Sequence, residues 1–503
     1  MTRFRSSLVA NVTGAGWTAV LQIICVPIFL KLMGAEGYGL IGFYIALQMS
    51  LQVLDLGISV TMNRELARYS AQSDSKANVR NCVRTLELLY WLIGLGIAAC
   101  LLVAAPSVGT HWIKANSLQS ADVTQLVRLM ALTMVFQWPL SFYQNGLNGL
   151  HQQVHANVVR IVAAGLSYGG AVFVLVQVSS SVTAFFMWQL VASIIHIVLI
   201  ASAFWNSMPR STQRPRFDLS QTRGIWSFAG GMSAIAVLST ILTQMDKVVL
   251  STVLSLEDFG YYILGGVIAS SLQLFISPIF AAVFPRLSSM FAKNDVREIR
   301  DLYHLGTQLM AVLVLPMAVV LGMFAPQVIN LWTGDSGVAN RVAPIATLLV
   351  IGTAINGLMH LPYALQLSHG WTTLSLRFAL VKVIIFLPLL CWAAARYGAV
   401  GGAATWAALN ACYMLIGVPL THRRLLRRDA LRWIFRDVVF PLLGVLVVVA
   451  VYRACLGNDA TGWRAGVEIL GASVIAVLAA VLAAPEIRHE ILKNWFAYRA
   501  VGA

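Results

Sequence analysis

The stretch APSVGTHW, at residues 105–112, indicates how the fold is organised, because it recurs 220 residues later as APQVINLW at residues 325–332. Other repeats have nearly equal offsets of 221 or 222 residues. They pair Glu36, Tyr38 and Gly39 with Glu257, Phe259 and Gly260, Leu51-Gln52 with Leu272-Gln273, and Arg64 with Arg286. Several matches at nearly one offset indicate an internal duplication, so we expect two related halves.

The sequence around these motifs is too apolar for a water-soluble protein. It is 58% hydrophobic and only 11% charged, with a mean hydropathy of +0.76, whereas soluble proteins carry about 25% charged residues. Because a membrane span needs about 20 apolar residues, we predict about fourteen spans. They lie near residues 10–32, 38–61, 84–105, 123–145, 156–178, 183–204, 225–249, 259–284, 303–324, 341–364, 374–394, 398–420, 437–455 and 466–484.

Six predicted spans separate equivalent points of the repeat, and an even number keeps the two halves parallel in the membrane. We therefore predict an all-α polytopic membrane protein. Its two six-helix lobes, residues 1–205 and 225–428, should be related by a pseudo-two-fold axis along the membrane normal. A cytoplasmic linker, 206–224, would join them, and helices 13 and 14 with a cytoplasmic tail, 429–503, would lie outside the repeat.

The basic residues predict the orientation. If the N-terminus is inside, 26 of the 35 Lys and Arg residues lie on the cytoplasmic side and six on the other side. The remaining three, Arg128, Lys247 and Lys382, fall within spans. Positive residues accumulate in cytoplasmic loops, so both termini should be cytoplasmic in a bacterial inner membrane. The same bias explains the net charge of +15 without a nucleic-acid partner.

Sequence features of enzymes and secreted proteins are absent. The apolar stretch after Arg5 continues to about Leu32, beyond the apolar region of about 7–15 residues in a signal peptide, which indicates an uncleaved first span. No lysine precedes Ser or Thr, so there is no Walker A loop, and there is no H-E-x-x-H zinc motif. The six cysteines form no C-x-x-C pair and are interpreted as small core residues. We expect a transporter without a cofactor, and not an enzyme.

Several segments resemble a known family. They are LMGAEGYGLIGFY (32–44), LDLGIS (54–59), NRELAR (63–68), NGLNGLHQQVHANVV (145–159), TQMDKVVLSTVLSLEDFGYY (243–262), LWTG (331–334) and YGAVGGAATW (397–406). In their order and spacing they resemble the Wzx-type O-antigen and repeat-unit flippases, within the multidrug/oligosaccharidyl-lipid/polysaccharide exporter superfamily. Together these segments extend to about Arg428.

The resemblance implies a 6+6 fold that alternates access. It implies movement of undecaprenyl-diphosphate-linked oligosaccharide to the periplasmic leaflet, coupled to a proton or Na⁺. It also implies contact with membrane lipids and with polymerase or other assembly proteins. The related lipid II flippases carry cavity arginines in helix 1, but this helix has no charge between Arg5 and Lys31. We therefore favour a repeat-unit flippase, for O-antigen, capsule or exopolysaccharide.

Ionisable residues inside spans are candidate substrate contacts, because burying such a charge costs at least about 2.5–3.5 kcal/mol. Lys382 lies about 7.5 Å deeper in helix 11 than Arg377, at about 1.5 Å per residue. It is interpreted as a cavity residue, with a structural lysine as the alternative. Asp246 and Lys247 lie near the outer end of helix 7. Since adjacent helix positions diverge, each should need its own partner.

Carboxylates and other polar residues within spans are candidates for ion coupling or sugar binding. Asp55, about two turns from the inner end of helix 2, could bind the coupling ion, as could Asp246, or Asp55 could pair with a basic residue. His196 could carry a proton, although a neutral hydrogen-bonded ring is favoured. Gln22, Gln48 and Gln52 could bind sugar hydroxyls or hydrogen-bond between helices.

Arg160 and Arg377 hold matching places in LNGLHQQVHANVVR (147–160) and ALQLSHGWTTLSLR (364–377). Each should start the fifth helix of its lobe on the cytoplasmic side, where a diphosphate enters. Bidentate binding of phosphate oxygens is one interpretation, and ordinary cytoplasmic positive charge is the other. Two further functions stay open: a multidrug or toxin antiporter of the same superfamily, and a membrane enzyme of polysaccharide assembly.

Overall fold

The structure is a computed structural model. It describes residues 2–55, 57–71, 76–209, 211, 215–218, 240–241, 243–293, 295–427, 429–456, 462–490 and 493. These residues form helices and connecting turns, with one isolated bridge between Lys114 and Ser255. The all-α membrane fold is therefore confirmed for the described part of the chain.

The chain divides into two compact units, Met1–Gly260 and Tyr261–Ala503. The helices of unit 1 are α1 (Thr2–Leu51), α2 (Ile58–Ala71), α3 (Lys76–Ser107), α4 (Ser120–Gln137), α5 (Leu140–Gly149), α6 (Gln153–Ala164), α7 (Gly170–Gln177), α8 (Val182–Ser207), and α9 at residues 243–253. A 3₁₀ turn at Gln52–Asp55 and π-helical turns at Val108–Trp112 and Gly165–Gly169 interrupt this series.

Helix α10 (Leu256–Ser270) begins in unit 1 and continues into unit 2. The other helices of unit 2 are α11 (Gln273–Lys293), α12 (Val296–Met323), α13 (Ala325–Thr333), α14 (Ser336–Ser368), α15 (Thr372–Leu425), α16 (Phe440–Leu456) and α17 (Trp463–Ala483), with a π-helical segment at Arg432–Val439 before α16. Side-chain caps define some starts: the Asp295 carboxylate accepts from Glu298 N, and that of Asp335 accepts from Gly337 N.

Ten helices in the described ranges are long and apolar enough to cross a membrane. Two of them each contain two predicted spans, joined at Gly34 and Gly398, where φ is 72° and 61°. Glycine suits both positions because positive φ carries no Cβ penalty. Most of predicted span 7 (225–249) lies outside the described residues, as does much of the predicted linker (206–224). The count of fourteen spans and the lobe boundaries therefore stay predictions.

Three predicted spans are interrupted. Predicted span 4 (123–145) divides into α4 and α5 beside Pro139, which cannot donate a helical hydrogen bond. The second helix of each repeat breaks at the repeated Leu-Gln pair: α1 gives way to the 3₁₀ turn at Gln52, and α11 begins at Gln273. Predicted span 38–61 is therefore not one regular helix, because it contains the turn that ends in Gly57 (φ 72°).

The repeated glycines Gly39 and Gly260 form a reciprocal contact. A Cβ atom on Gly39 would lie 2.2 Å from the Leu256 carbonyl oxygen, and one on Gly260 would lie 2.4 Å from that of Ala35. Residues 35 and 39 pair with 256 and 260 at the repeat offset of 221. Two equivalent segments therefore cross with local two-fold symmetry, as in an isologous interface.

Each unit packs around its own apolar core. The core of unit 1 contains Tyr90, Phe142 and Phe204, and that of unit 2 joins Val312 and Val320 of α12 to alanines of α17. The cysteines correct one expectation: Cys25 is buried, but Cys100, Cys391, Cys412 and Cys455 are exposed on helix surfaces, and all six are free.

Candidate functional site

Asp55 lies in the 3₁₀ turn between α1 and α2, not within a regular helix. Its Oδ1 accepts hydrogen bonds from Tyr90 Oη at 2.6 Å and Ser59 N at 3.2 Å. Its Oδ2 accepts from Ser59 Oγ at 2.7 Å. Broken membrane helices are where transporters commonly place ion sites, because freed backbone and side-chain oxygens converge there. These hydrogen-bond partners are neutral, so none of them forms an ion pair with the carboxylate.

The hydrogen-bonded network of Asp55 continues into the core of unit 1. Tyr90 Oη lies 2.7 Å from Ser141 Oγ on α5, and its ring stacks on Trp138 with centroids 5.4 Å apart. Tyr90 is itself buried. A change in the charge of Asp55 would therefore alter its hydrogen bond with Tyr90 and, through Tyr90, affect α3 and α5.

Glu87 is a buried carboxylate that the sequence interpretation overlooked. It forms an ion pair of 2.6 Å with Arg84, and its Oε1 accepts from Tyr143 Oη and from Trp205 Nε1, the latter at 3.0 Å. An acidic residue at the start of predicted span 84–105 was the available signal. Because both carboxylate oxygens have donors, Glu87 is better suited to joining α3, α5 and α8 than to binding an ion.

Arg160 lies two turns inside α6, which begins at Gln153, and not at its first residue. Its side chain is half-buried, and its charge interacts with the His196 ring on α8. One turn earlier, Asn157 Nδ2 donates to Asn11 Oδ1 at 2.6 Å, so α6 is joined to α1 beside the arginine. The structure therefore brings two of the candidates, Arg160 and His196, together in unit 1.

Of the glutamines, Gln48 is part of an interhelical network. Gln48 Nε2 donates to Gln137 Oε1, and Gln137 Nε2 donates to Ser193 Oγ at 3.0 Å. This network links α1, α4 and α8, as the structural alternative predicted. Gln52 is exposed in the 3₁₀ turn, and Gln22 is half-buried on α1.

Asp246 and Lys247 form an ion pair with each other, with 3.3 Å between Lys247 Nζ and Asp246 Oδ1. Lys247 Nζ also donates to the Thr243 carbonyl at 3.2 Å. Lys247 therefore has a partner besides its neighbour, and the expectation that each of the two residues needs its own partner stays a prediction. The long lysine side chain folds back along α9 and reaches its neighbour.

Lys382 is half-buried on α15, and its Nζ lies 3.3 Å from the centroid of the Tyr413 ring on the same bent helix. Phe378 meets the same ring edge-on, with centroids 5.1 Å apart. The ring stabilises the ammonium by a cation–π interaction without neutralising it. Arg377 is exposed in the second turn of α15, which begins at Thr372.

A second buried polar cluster in unit 2 was also missed. Asp437, just before α16, pairs with His304 Nδ1 and accepts from Gln308 Nε2 at 2.7 Å, both on α12. Arg300 binds Asp429 at 2.6 Å, and the Asp429 carboxylate lies 3.9 Å from His304 Nε2. Its members are 129–133 residues apart in sequence, so no local pattern could have shown it. The cluster attaches α16 and α17 to α12.

In the described ranges no group of three or more His, Cys, Asp or Glu side chains could hold a metal ion. The arrangement instead offers isolated cations and carboxylates within apolar helices. Such groups can bind anions, protons or monovalent cations during transport.

The sequence profile described as "Polysaccharide biosynthesis protein" matches residues 6–291 of this chain. A Shigella flexneri protein that bears the name of an O-antigen transporter is 21% identical over 397 residues, which is 79% of this chain and 92% of that protein. Lipopolysaccharide biosynthesis protein WzxC of Escherichia coli K12 is 20% identical over 409 residues, covering 78% and 76%.

Solved structures share the fold. The lipid II flippase MurJ, in an inward closed conformation, superposes with a TM-score of 0.75 at 14% identity, covering 96% of this chain and 99% of that one. An inward-facing multidrug MATE transporter gives 0.66 at 16% identity, covering 81% and 94%. At these identities the likeness concerns architecture alone.

Proposed function

Because this chain belongs to the polysaccharide biosynthesis protein family, we propose that it is a flippase for undecaprenyl-diphosphate-linked oligosaccharide repeat units. It would move them from the cytoplasmic to the periplasmic leaflet of the bacterial inner membrane by alternating access. A diphosphate carries negative charge and the sugars carry hydroxyls, so the pathway needs cations and polar groups inside an apolar helical frame.

The observation that carries the proposal is the set of contacts that the Lys382 ammonium makes. The described structure pairs its ammonium with the Tyr413 ring, at 3.3 Å from the centroid, and with no carboxylate. A charge in an apolar membrane helix is costly, so a lysine at such a position is by default a candidate for binding or transport. A drug-exporting site would need carboxylates to attract cationic substrates, whereas an unneutralised lysine attracts a diphosphate.

Arg160 and Arg377 would provide the earlier contacts. Arg377 is exposed, and Arg160 is half-buried near His196. In our proposal each guanidinium group binds diphosphate at the cytoplasmic side of its own unit, and Lys382 binds it further along the pathway in unit 2. Asp55, held by neutral donors at a helix break, would bind the proton or Na⁺ that drives the cycle.

The crossing of α1 and α10 would act as the periplasmic gate. Gly39 and Gly260 permit backbone contact there. Beside it, Leu256 N donates to the Lys114 carbonyl at 2.8 Å, and Trp112 Nε1 donates to Ser251 Oγ at 3.0 Å. Release of the substrate would require these contacts to separate. Lys114 Nζ also donates to the Val253 carbonyl at 3.0 Å, so separation would break all three of these hydrogen bonds.

The orientation can be tested by cysteine labelling in a cysteine-free variant. Cysteines at Lys114 or Arg341 should react with an impermeant thiol reagent in intact spheroplasts, and one at Lys76 should not. The reverse pattern would refute cytoplasmic termini and a periplasmic gate.

Transport itself is tested with Lys382. Lys382→Met should abolish transport of fluorescent lipid-linked repeat units in proteoliposomes and glycan export in a null strain, and Lys382→Arg should keep part of it. Lys293→Met is the matched control, because Lys293 is exposed at the end of α11. Parental transport by the Lys382→Met protein would remove this lysine from the pathway. Failure of the parental protein to transport the glycolipid would refute the proposed function.

A further inference from the structure

Unit 2 carries a row of nearly parallel aromatic rings close to Lys382. Phe280 and Phe284, one turn apart on α11, have centroids 5.6 Å apart and planes inclined by 6°. Tyr363 of α14 continues the row, 6.3 Å from Phe280 at 16°. These distances exceed the contact separation of about 3.5–4.0 Å between carbon atoms, so the rings are offset and part of each face is left uncovered.

This row differs from the aromatic packing of the cores. In unit 1 the contacts of Phe142 with Tyr143 and Phe204 are edge-to-face, at 86° and 67°, and these rings are fully buried. The rings of Phe280 and Phe284 are only half-buried, and Tyr363 is 37% exposed. Aligned rings also occur in a core, where Tyr90 stacks on Trp138; the partial exposure of Phe280, Phe284 and Tyr363 is what makes their row a surface.

The polar neighbours of the row indicate that it does not face lipid. The His360 ring meets Phe280 edge-on, 5.7 Å away, and is held by a hydrogen bond of 2.9 Å between its Nδ1 and the Asn356 carbonyl. The same helix, α14, is joined to α15 one turn before Tyr413, because Asn356 Nδ2 donates to Asn410 Oδ1 at 2.9 Å, and the Tyr413 ring lies beside Lys382 Nζ. Ionisable groups in membrane helices face an interior or water-filled space, so the rings beside them share that environment.

A sugar ring fits the chemistry of this surface. One face of a pyranose is formed by C–H groups, which carry partial positive charge and pack on the negative face of an aromatic ring. Its hydroxyls need hydrogen-bonding groups at the rim, and Tyr363 and His360 provide them. The nearby Lys382 disfavours a cationic aromatic ligand and favours a glycan attached to a diphosphate.

We propose that Phe280, Phe284 and Tyr363 form a saccharide-binding platform on which a pyranose of the repeat unit stacks while Lys382 binds the attached diphosphate. This inference rests on the proposed function and adds a subsite that recognises the sugar independently of the lipid diphosphate. It also explains why the three rings are aligned.

Binding to the protein in nanodiscs tests the platform. One probe is the undecaprenyl-diphosphate-linked repeat unit extracted from a polymerase-deficient strain, and the other is sugar-free undecaprenyl diphosphate. The Phe280→Leu/Phe284→Leu protein should bind the glycolipid about tenfold more weakly, at about half a kcal/mol or more per lost stacking contact. Its affinity for the sugar-free lipid should be unchanged. Tyr363→Phe should keep most of the glycolipid affinity, and Tyr363→Leu should lose it.

Phe440→Leu is the matched control, since Phe440 is an exposed aromatic residue of unit 2 outside the row, and it should bind both probes like the parental protein. Equal weakening for both probes, or no weakening, would overturn the platform. Binding of the cation tetraphenylphosphonium to the parental protein in competition with the glycolipid would also overturn the platform. Transport of the glycolipid by the parental protein in vesicles would keep the proposed function intact in each of these cases.

Discussion

Replacing Asp437 with leucine tests whether the buried polar cluster of unit 2 attaches α16 and α17 to α12. The side chains of Asp437 and His304 are both fully buried, and Asp437 also accepts from Gln308 Nε2 at 2.7 Å. Removing one partner of a buried ionic pair costs about 3–5 kcal/mol, because the other group is left buried without compensation. Here two donors, one on His304 and one on Gln308, would lose their acceptor.

This loss of free energy should appear as more frequent opening of α16 and α17 away from α12. Glu486 N donates to Gln308 Oε1 at 2.8 Å, so the far end of the α16–α17 pair is tied to the same glutamine. A cysteine replacing Ala476, which is fully buried in the core between α17 and α12, would report the opening. At about 1.4 kcal/mol per factor of ten, its labelling in a cysteine-free background should accelerate from about 10²-fold to roughly 4 × 10³-fold.

Two controls define the interpretation. Glu298→Leu removes an exposed carboxylate from the same helix, α12, and should leave labelling of the cysteine at position 476 unchanged. The His304→Leu/Asp437→Leu protein should recover much of the protection, because replacing both members of a buried pair by apolar residues is often nearly neutral. Parental labelling of Asp437→Leu, or additive effects in the double variant, would refute the structural role of the pair.

Three further outcomes are expected from transport in proteoliposomes. Gly260→Leu should block transport while allowing substrate binding, because its side chain would meet the Ala35 carbonyl; a transporting variant would remove the crossing as a gate. Asp55→Asn should flatten the pH or Na⁺ dependence of transport, and an unchanged dependence would exclude this carboxylate as the coupling site. Arg160→Lys with Arg377→Lys should slow transport if the guanidinium groups bind the diphosphate bidentately, whereas parental rates would mean that only positive charge is needed.

Much of the architecture could be predicted from apolar runs and short motifs in the sequence. Apolar runs predicted the membrane helices because burial in lipid depends on composition over about 20 residues. The Leu-Gln and Glu-x-x-Gly repeats marked equivalent points, and the structure places a helix break at both Leu-Gln pairs. Gly34 and Gly398 interrupt long helices close to the predicted connections.

The candidate residues were found where a charge interrupts an apolar run, as at Lys382 and Asp55. The residues that contact them could not be found in this way. Tyr90 lies 35 residues from Asp55, and Tyr413 lies on the far side of the bend at Gly398. Nothing in the spacing of these residues predicts which ring lies beside which charge.

The same reason explains the clusters that were missed. Glu87 lies in the first turn of predicted span 84–105, and Asp437 is the first residue of predicted span 437–455. Both are buried because helices distant in sequence bring donors to them. Composition and periodicity determine that a segment is helical and lies in the membrane, since those properties depend on neighbours along the chain. Which polar groups are neutralised, and which stay available to a substrate, depends on packing between helices, which only the folded protein specifies.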